Sequence, residues 1–162
     1  MAALRTLYED DTLRVVVEGN MAVAVWTGAP SVDQLRRLHG GLNVLRSENP
    51  DGGAFMNVVV GGTPRFSNEV REEAARITQD TGPTDRGTAH VVLIEGMAGA
   101  AVRAFIGTMT LMGRPKIPTK TFGDLTSAAD WLLARLEGIP GTAWSRESLI
   151  ALAERALEGR RG

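Results

Sequence analysis

The segment of residues 89–136 constrains the fold most, because its pattern changes twice from strand to helix. It reads as a strand, AHVVLIEG, a helix, GAAVRAFIGTMTLM, a second strand, KIPTKTF, and a second helix, DLTSAADWLLARL. Each helix carries one apolar stripe, formed by Val102, Phe105, Ile106 and Met109 in the first and by Leu125, Ala129, Leu132 and Leu136 in the second. Strands that alternate with helices of this length need crossover connections, so the segment predicts a parallel sheet.

The N-terminal part predicts an antiparallel hairpin. Residues 12–18 (TLRVVVE) and 21–27 (MAVAVWT) are apolar and rich in β-branched side chains. Gly19-Asn20 between them has the composition of a two-residue hairpin turn. An antiparallel hairpin beside parallel βα units indicates an α/β domain with a mixed sheet.

Helical spacing follows the hairpin over residues 31–48. Its apolar face consists of Leu35, Leu38, Leu42 and Leu45, and Ser31 with Gln34 forms a capping-box pair at its start. Gly40-Gly41 lies inside this helix, where each Gly costs about 1 kcal/mol relative to Ala. A helix break, close packing on the sheet or backbone approach to a partner would each account for the pair.

A strand and a helix connect this helix to the segment described first. Residues 54–60 (AFMNVVV) are nearly all apolar, as in a strand buried inside a parallel sheet. Residues 68–79 predict a helix with Val70, Ala74 and Ile77 facing inward and a Glu72–Arg76 ion pair facing outward.

The C-terminal part predicts one additional helix. Residues 138–141 form a Gly/Pro hinge, and a helix follows over residues 145–158, with Ser145 as its cap and Trp144 packed on Leu149. We therefore expect a domain over residues 1–137, followed over residues 138–162 by the hinge and an added amphipathic helix.

Composition limits the partners that the chain can have. The 162 residues suffice for one compact domain, and 18 basic residues nearly balance 19 acidic ones, so we expect no nucleic-acid partner. No run of 18 apolar residues occurs, so we expect no integral membrane segment. The start of the chain lacks the pattern of a signal peptide, and the absence of Cys suits a reducing compartment; both favour a cytoplasmic location.

The order of hairpin, helix, strand, helix, strand, helix, strand and helix resembles the STAS or SpoIIAA-like superfamily of anti-sigma-factor-antagonist domains. The local similarity is strongest in VVLIEGMAGAAVRAFIGTMTLMGRPKIPTKTFGDLTSAADWL, and the resemblance covers about residues 4–136. It implies a non-enzymatic bacterial signalling or scaffolding module that docks onto another protein, or that carries or senses a small apolar, lipid-like ligand.

In signalling members of that superfamily, the loop that corresponds to residues 61–68 contains an Asp followed by a phosphorylatable Ser or Thr. Here the loop reads GGTPRFSN and lacks the family's Asp-Ser-Gly type sequence, which weighs against a phosphorylation switch. The resemblance still marks this loop and the next helix as the candidate surface for a protein partner or for phosphorylation. Its candidate residues are Thr63, Arg65, Ser67, Asn68, Glu69 and Arg76.

The same residues also allow simpler interpretations. Arg65 and Ser67 could hold an anion at the helix N-terminus, but Ser67 could equally act as an ordinary helix cap. A second candidate loop, Gly96-Met97-Ala98-Gly99, could bring backbone N–H groups near a phosphate. It matches no nucleotide-binding motif, so the alternative is a tight strand-to-helix turn.

Other residues with reactive or adaptable side chains give weak signals. His39 and His90 have no second ligand at metal-binding spacing on their own elements, so we predict packing or surface roles for both, and neither a metal, a cofactor nor a catalytic site. Trp26, Met97, Met109 and Met112 could line a ligand cavity, but such residues more often belong to the core. Self-association through the C-terminal helix would make the protein a homo-oligomer.

Overall fold

The computed structural model describes residues 2–62 and 65–160, which form an α/β domain with a six-stranded mixed sheet and five helices. The strands are β1 (Arg5–Glu9), β2 (Leu13–Glu18), β3 (Met21–Trp26), β4 (Gly53–Val59), β5 (Asp85–Val92) and β6 (Thr119–Phe122). The helices are α1 (Val32–Glu48), α2 (Asn68–Gln79), α3 (Gly96–Gly113), α4 (Leu125–Leu136) and α5 (Arg146–Leu157).

The strands lie in the sheet in the order in which the chain makes them. Pairing is antiparallel from β1 to β3 and parallel from β3 to β6, which confirms a hairpin followed by βα units. The predicted hairpin is β2–β3, and Gly19 takes the positive φ of 56° that its tight turn requires.

Strand β1 is the element that we did not predict. It pairs with β2 at the edge of the sheet and is largely exposed, so only Leu7 and Tyr8 pack against the nearby core. A short, half-exposed edge strand lacks the continuous apolar run that marks the other strands. The turn after β1 is fixed by Asp10, which accepts hydrogen bonds from Gln34 Nε2 at 2.9 Å and from the backbone N–H groups of Thr12 and Leu13.

The two faces of the sheet are covered by different helices. Because side chains alternate along a strand, Phe55 and Val59 of β4 face α1, α2 and α3, whereas Met56 and Val58 face α4 and α5. The result is a three-layer arrangement of helices, sheet and helices. Helices α1 and α2 begin at Ser31 and Ser67, whose hydroxyls accept hydrogen bonds from the N–H groups of Gln34 and Val70.

The hydrophobic core does not stop at residue 137. Leu149, Leu152 and Leu157 of α5 are almost fully buried, in the same cluster as β3 and α4. The segment before α5 is also tied to the sheet, because Trp144 Nε1 donates to Oδ1 of the buried Asn20 at 2.7 Å. Ser145 caps α5 as predicted.

One predicted detail of the helices differs from the structure, and one open question about them is answered. Arg76 pairs with Glu73 at 2.5 Å and not with Glu72, because Glu73 is buried and needs a cation to offset its lost hydration. The Gly40-Gly41 pair does not break α1. A Cβ on Gly41 would lie 3.1 Å from Val15 Cγ1, so this glycine permits close packing on the sheet, whereas Gly40 is exposed with no neighbour there.

Candidate ligand-binding site

A cavity of about 160 Å³ lies between the sheet and helices α1, α2 and α3. Strands β3 to β6 form its floor. The apolar side chains of its wall include Leu38, Leu42, Phe55, Phe66, Ile77, Val102, Phe105, Ile106 and Met109. A cavity of this volume is of the order of an engineered cavity of about 150 Å³ that binds benzene in another protein, so a molecule built on one six-membered ring would fit.

A polar network crosses the floor of the cavity on three neighbouring strands. Trp26 Nε1 donates to Asn57 Oδ1 at 2.8 Å, and Asn57 Nδ2 lies 3.1 Å from His90 Nδ1. Parallel pairing places Asn57 directly beside His90, so the register of β4 and β5 fixes this contact. All three side chains line the cavity.

The network determines which nitrogen of His90 carries the proton. The indole N–H of Trp26 can only donate, so it is the carbonyl oxygen of Asn57 that faces Trp26 and the amide NH₂ that faces His90. His90 Nδ1 is therefore the acceptor, and the proton of the neutral imidazole lies on Nε2.

Nε2 of His90 is a donor without a partner among the described residues. In the same part of the chain, the fully buried side-chain nitrogen and oxygen atoms that lack a partner are Arg86 Nε and Arg160 Nη1, so His90 Nε2 is not fully buried. We assign its accessible surface to the cavity that His90 lines. Burial lowers the pKa of His90 from 6.5 to about 4, so the ring is neutral at pH 7.

Arg46 and Asp85 are the charged residues of the cavity wall. Arg46 Nη2 lies 2.9 Å from Asp85 Oδ2, and it also donates to the carbonyl oxygen of Asp80 at 2.7 Å. Nη1 of Arg46 donates to Asn43 at 2.8 Å. The guanidinium is thus occupied by partners from its own chain, and a ligand finds no free cation on this wall.

The predicted partner surface lies directly outside the cavity. Phe66 lines the cavity and stacks on Phe105 with ring centroids 3.7 Å apart, while its neighbours Arg65 and Ser67 are exposed. A groove between the first turns of α1 and α2 includes Pro30, Val32, Arg65, Ser67 and Glu69.

The individual candidates of that surface differ in what they contact. Ser67 is the N-cap of α2 and donates nothing to a partner that the structure describes, whereas Arg65 and Glu69 are exposed and form no ion pair with a described residue. Asn68 is exposed at the first position of α2, and Arg76 is held by Glu73. Thr63 lies outside the described residues.

The second predicted loop is part of a helix. Gly96, Met97 and Gly99 form the first turn of α3. The preceding strand, β5, was predicted over residues 89–96; it begins earlier, at Asp85, and ends at Val92, four residues before the predicted end. A Cβ on Gly99 would overlap the carbonyl oxygen of Ile94, so the small residue allows a tight turn. Gly96 and Met97 are exposed at this end of the helix.

Sequence reasoning identified the cavity wall only in part. Trp26 and Met109 line the cavity, but Met97 is 91% exposed and Met112 is 56% exposed on the outer side of α3, so neither faces it. Asn57 was missed as a functional residue. The available signal was one polar residue inside each of two apolar strands, Asn57 in AFMNVVV and His90 in AHVVL.

Comparison with known proteins gives no match to this chain among family models, curated proteins or solved structures. Within residues 2–62 and 65–160, no three His, Asp or Glu side chains come close enough to hold a metal ion together. Of the helices in the same described ranges, none combines the length and apolar character needed to cross a bilayer.

Proposed function

We propose that the protein is a non-enzymatic carrier or sensor that binds one small, largely apolar molecule in the cavity between the sheet and helices α1 to α3. The observation that carries the proposal is the cavity itself, a largely apolar space of about 160 Å³ with the network of Trp26, Asn57 and His90 on its floor. Ligand sites typically combine such an apolar wall with a few polar groups that orient the ligand.

The loose packing around the cavity supports this function. Protein interiors pack as densely as organic crystals, so an apolar space of about 160 Å³ between packed elements is a departure from the normal density. A ligand that fills the space recovers contacts with the wall, which is a source of binding free energy.

Filling the cavity with a side chain tests the proposal. Ala74 of α2 lines the cavity, so Ala74→Leu should reduce the affinity for a small aromatic probe such as toluene at least tenfold, measured by calorimetry. Ala104→Leu on the exposed face of α3 is the matched control and should bind like the wild type. Equal affinity in both variants would contradict binding in this cavity.

Native mass spectrometry of the protein purified from its own cells gives an independent test. A mass increment that disappears after mild organic extraction would identify a retained ligand. If the freshly purified protein has its bare mass and toluene does not bind, the proposed function is wrong.

The second candidate is the protein-interaction function that the STAS-like resemblance implies, in a bacterial cytoplasmic module. The favouring observation is that Arg65 and Glu69 are exposed, form no ion pair with a described residue and lie close in sequence to Phe66, which belongs to the cavity wall. A ligand that contacts Phe66 in the cavity would therefore contact a residue of the same segment as Arg65 and Glu69, the two exposed candidates for partner binding.

The combined substitution of Arg65 and Glu69 by Ala tests this second function. We expect it to reduce capture of a protein partner from the native cytoplasm, with the thermal transition unchanged. Arg103→Ala, an exposed change on α3, is the control and should leave capture intact. Undiminished capture by the double variant would exclude this surface.

A further inference from the structure

The size of the cavity limits its ligands, and the Nε2–H group of His90 adds a preference for a hydrogen-bond acceptor. The donor at Nε2 is set by the network, because Asn57 occupies Nδ1 and Trp26 fixes the orientation of Asn57. A donor that faces an apolar space without a partner costs free energy, and a ligand that accepts its hydrogen bond removes that cost.

We propose that the ligand is an uncharged molecule whose apolar body carries a hydrogen-bond acceptor, a carbonyl or ether oxygen, that accepts from Nε2–H of His90. This inference rests on the proposed function, since it specifies the chemistry of the ligand in that same cavity.

The wall of the cavity excludes a carboxylate in this position. Arg46, the cation of the wall, already contacts Asp85 at 2.9 Å and the Asp80 carbonyl at 2.7 Å. A carboxylate placed beside neutral His90 would lose its hydration and gain one hydrogen-bond donor. One hydrogen bond does not offset the free-energy cost of desolvating a charge. The ring also resists protonation, because burial holds the pKa of His90 at about 4.

Three threonine hydroxyls of the wall have partners within the protein. The hydroxyls of Thr78 and Thr110, on α2 and α3, donate to backbone carbonyl oxygens of their own helices at 2.9 Å. The Oγ of Thr119 on β6 lies 3.3 Å from the carbonyl oxygen of Ile117. These three hydroxyls donate within the protein, so they do not compete with Nε2 of His90 for an acceptor on the ligand.

Three probes of equal size separate the alternatives. Acetophenone carries a carbonyl oxygen, α-methylstyrene replaces that oxygen by a CH₂ group, and benzoate carries a charged carboxylate on the same ring. Calorimetric titration of the wild-type protein at pH 7 should give acetophenone an affinity about three- to tenfold higher than that of α-methylstyrene. Benzoate should bind at least tenfold more weakly than acetophenone.

The substitution His90→Phe tests whether Nε2–H of His90 is the cause of the preference for acetophenone, because it removes that donor. In this variant acetophenone should lose its advantage over α-methylstyrene, while α-methylstyrene binds about as before. His39→Phe changes the other imidazole of the chain, which lies outside the cavity wall, and should leave the wild-type preference intact. In wild-type protein, the ¹⁵N resonance of His90 Nε2 should also shift with acetophenone and not with α-methylstyrene.

The outcomes distinguish this inference from the proposed function. If α-methylstyrene binds as tightly as acetophenone, or benzoate binds best, the cavity binds ligands but the acceptor preference is wrong. If none of the three probes nor toluene binds, both the proposed function and this inference fail. Because the comparison uses wild-type protein, it remains decisive even if His90→Phe does not fold.

Discussion

Asn57 and His90 lie side by side on neighbouring parallel strands, with Asn57 Nδ2 3.1 Å from His90 Nδ1. Both side chains are on the face of the sheet that α1, α2 and α3 cover, where most neighbours are apolar. Asn57 is tolerated there because its amide contacts both Trp26 Nε1 and His90 Nδ1, and His90 gains a partner at Nδ1. This pairing underlies the first two predictions.

Replacing Asn57 by Ala should destabilise the fold by about 2–4 kcal/mol, because Trp26 Nε1 and His90 Nδ1 both lose their partner. Urea unfolding measures the change. Asn68→Ala at the exposed start of α2 is the matched control and should lie within about 0.5 kcal/mol of wild type. An Asn57→Ala variant as stable as this control would show that the network contributes little.

Stability should rise with pH between about 4 and 6.5 because of His90. Its pKa is lowered from 6.5 to about 4 by burial, so in this window the unfolded chain binds a proton that the folded protein does not. The contribution of His90 to the free energy of unfolding should therefore be constant above pH 6.5 and fall by about 3 kcal/mol down to pH 4.

The variant His90→Gln checks the assignment of this pH dependence. It should flatten the profile of the free energy of unfolding between pH 4 and 6.5. Asp10 acts at lower pH: burial raises its pKa, but hydrogen bonds from Gln34 and Tyr8 outweigh this effect and hold the pKa at about 2. The stability that the ionised Asp10 contributes is fully present above pH 3.8, the ordinary pKa of the group, and is lost as the pH falls through about 2. A slope that survives in His90→Gln would contradict the assignment.

The two glycines of α1 should respond oppositely to the same substitution. Gly40→Ala should stabilise the protein by up to about 1 kcal/mol, since Gly40 is exposed, lies inside the helix and has no atom near the position of a Cβ. Gly41→Ala should be neutral or destabilising, because its Cβ would press on Val15 at 3.1 Å. Thermal unfolding of both variants measures the difference, and equal gains in both would show that Gly41 is not a packing site.

The order of elements was predictable because each depends on local signals. Apolar and β-branched runs predicted β2 to β6. Ser31, Ser67, Asp124 and Ser145 mark helix starts that the structure confirms by hydrogen bonds to the first turn. Strand β1 lacked such a signal because an exposed edge strand buries little. The end of β5 was misplaced because Leu93 and Ile94 continue its apolar run although the chain has left the sheet.

The site was harder to predict because it depends on register. Asn57 and His90 are 33 positions apart in the sequence, and only the parallel pairing of β4 and β5 sets them side by side. A cavity is likewise a property of several packed elements and has no pattern of its own in the sequence. A lone Asn in an apolar strand indicates a polar contact, but it does not identify the partner.

The burial of α5 leads to the last prediction, which concerns whether residues 138–162 unfold with the rest of the chain. Leu152 is fully buried among residues of the sheet and α4, so Leu152→Ala should destabilise the protein by about 2–5 kcal/mol. It should do so within one cooperative transition, because the cavity that it leaves lies in the shared core. Leu111→Ala on α3 removes the same atoms from a side chain that is 78% exposed, and we expect a change below about 0.5 kcal/mol.

Calorimetry of the Leu152→Ala variant distinguishes one unfolding unit from two. If residues 138–162 were separable, the variant would lose a small early transition and keep the main transition of wild type. A single transition shifted to lower temperature is expected instead, because Trp144 also ties this segment to Asn20 at the β2–β3 turn. Trp144→Phe, which removes only that hydrogen bond and part of the ring, should shift the same transition in the same direction by a smaller amount.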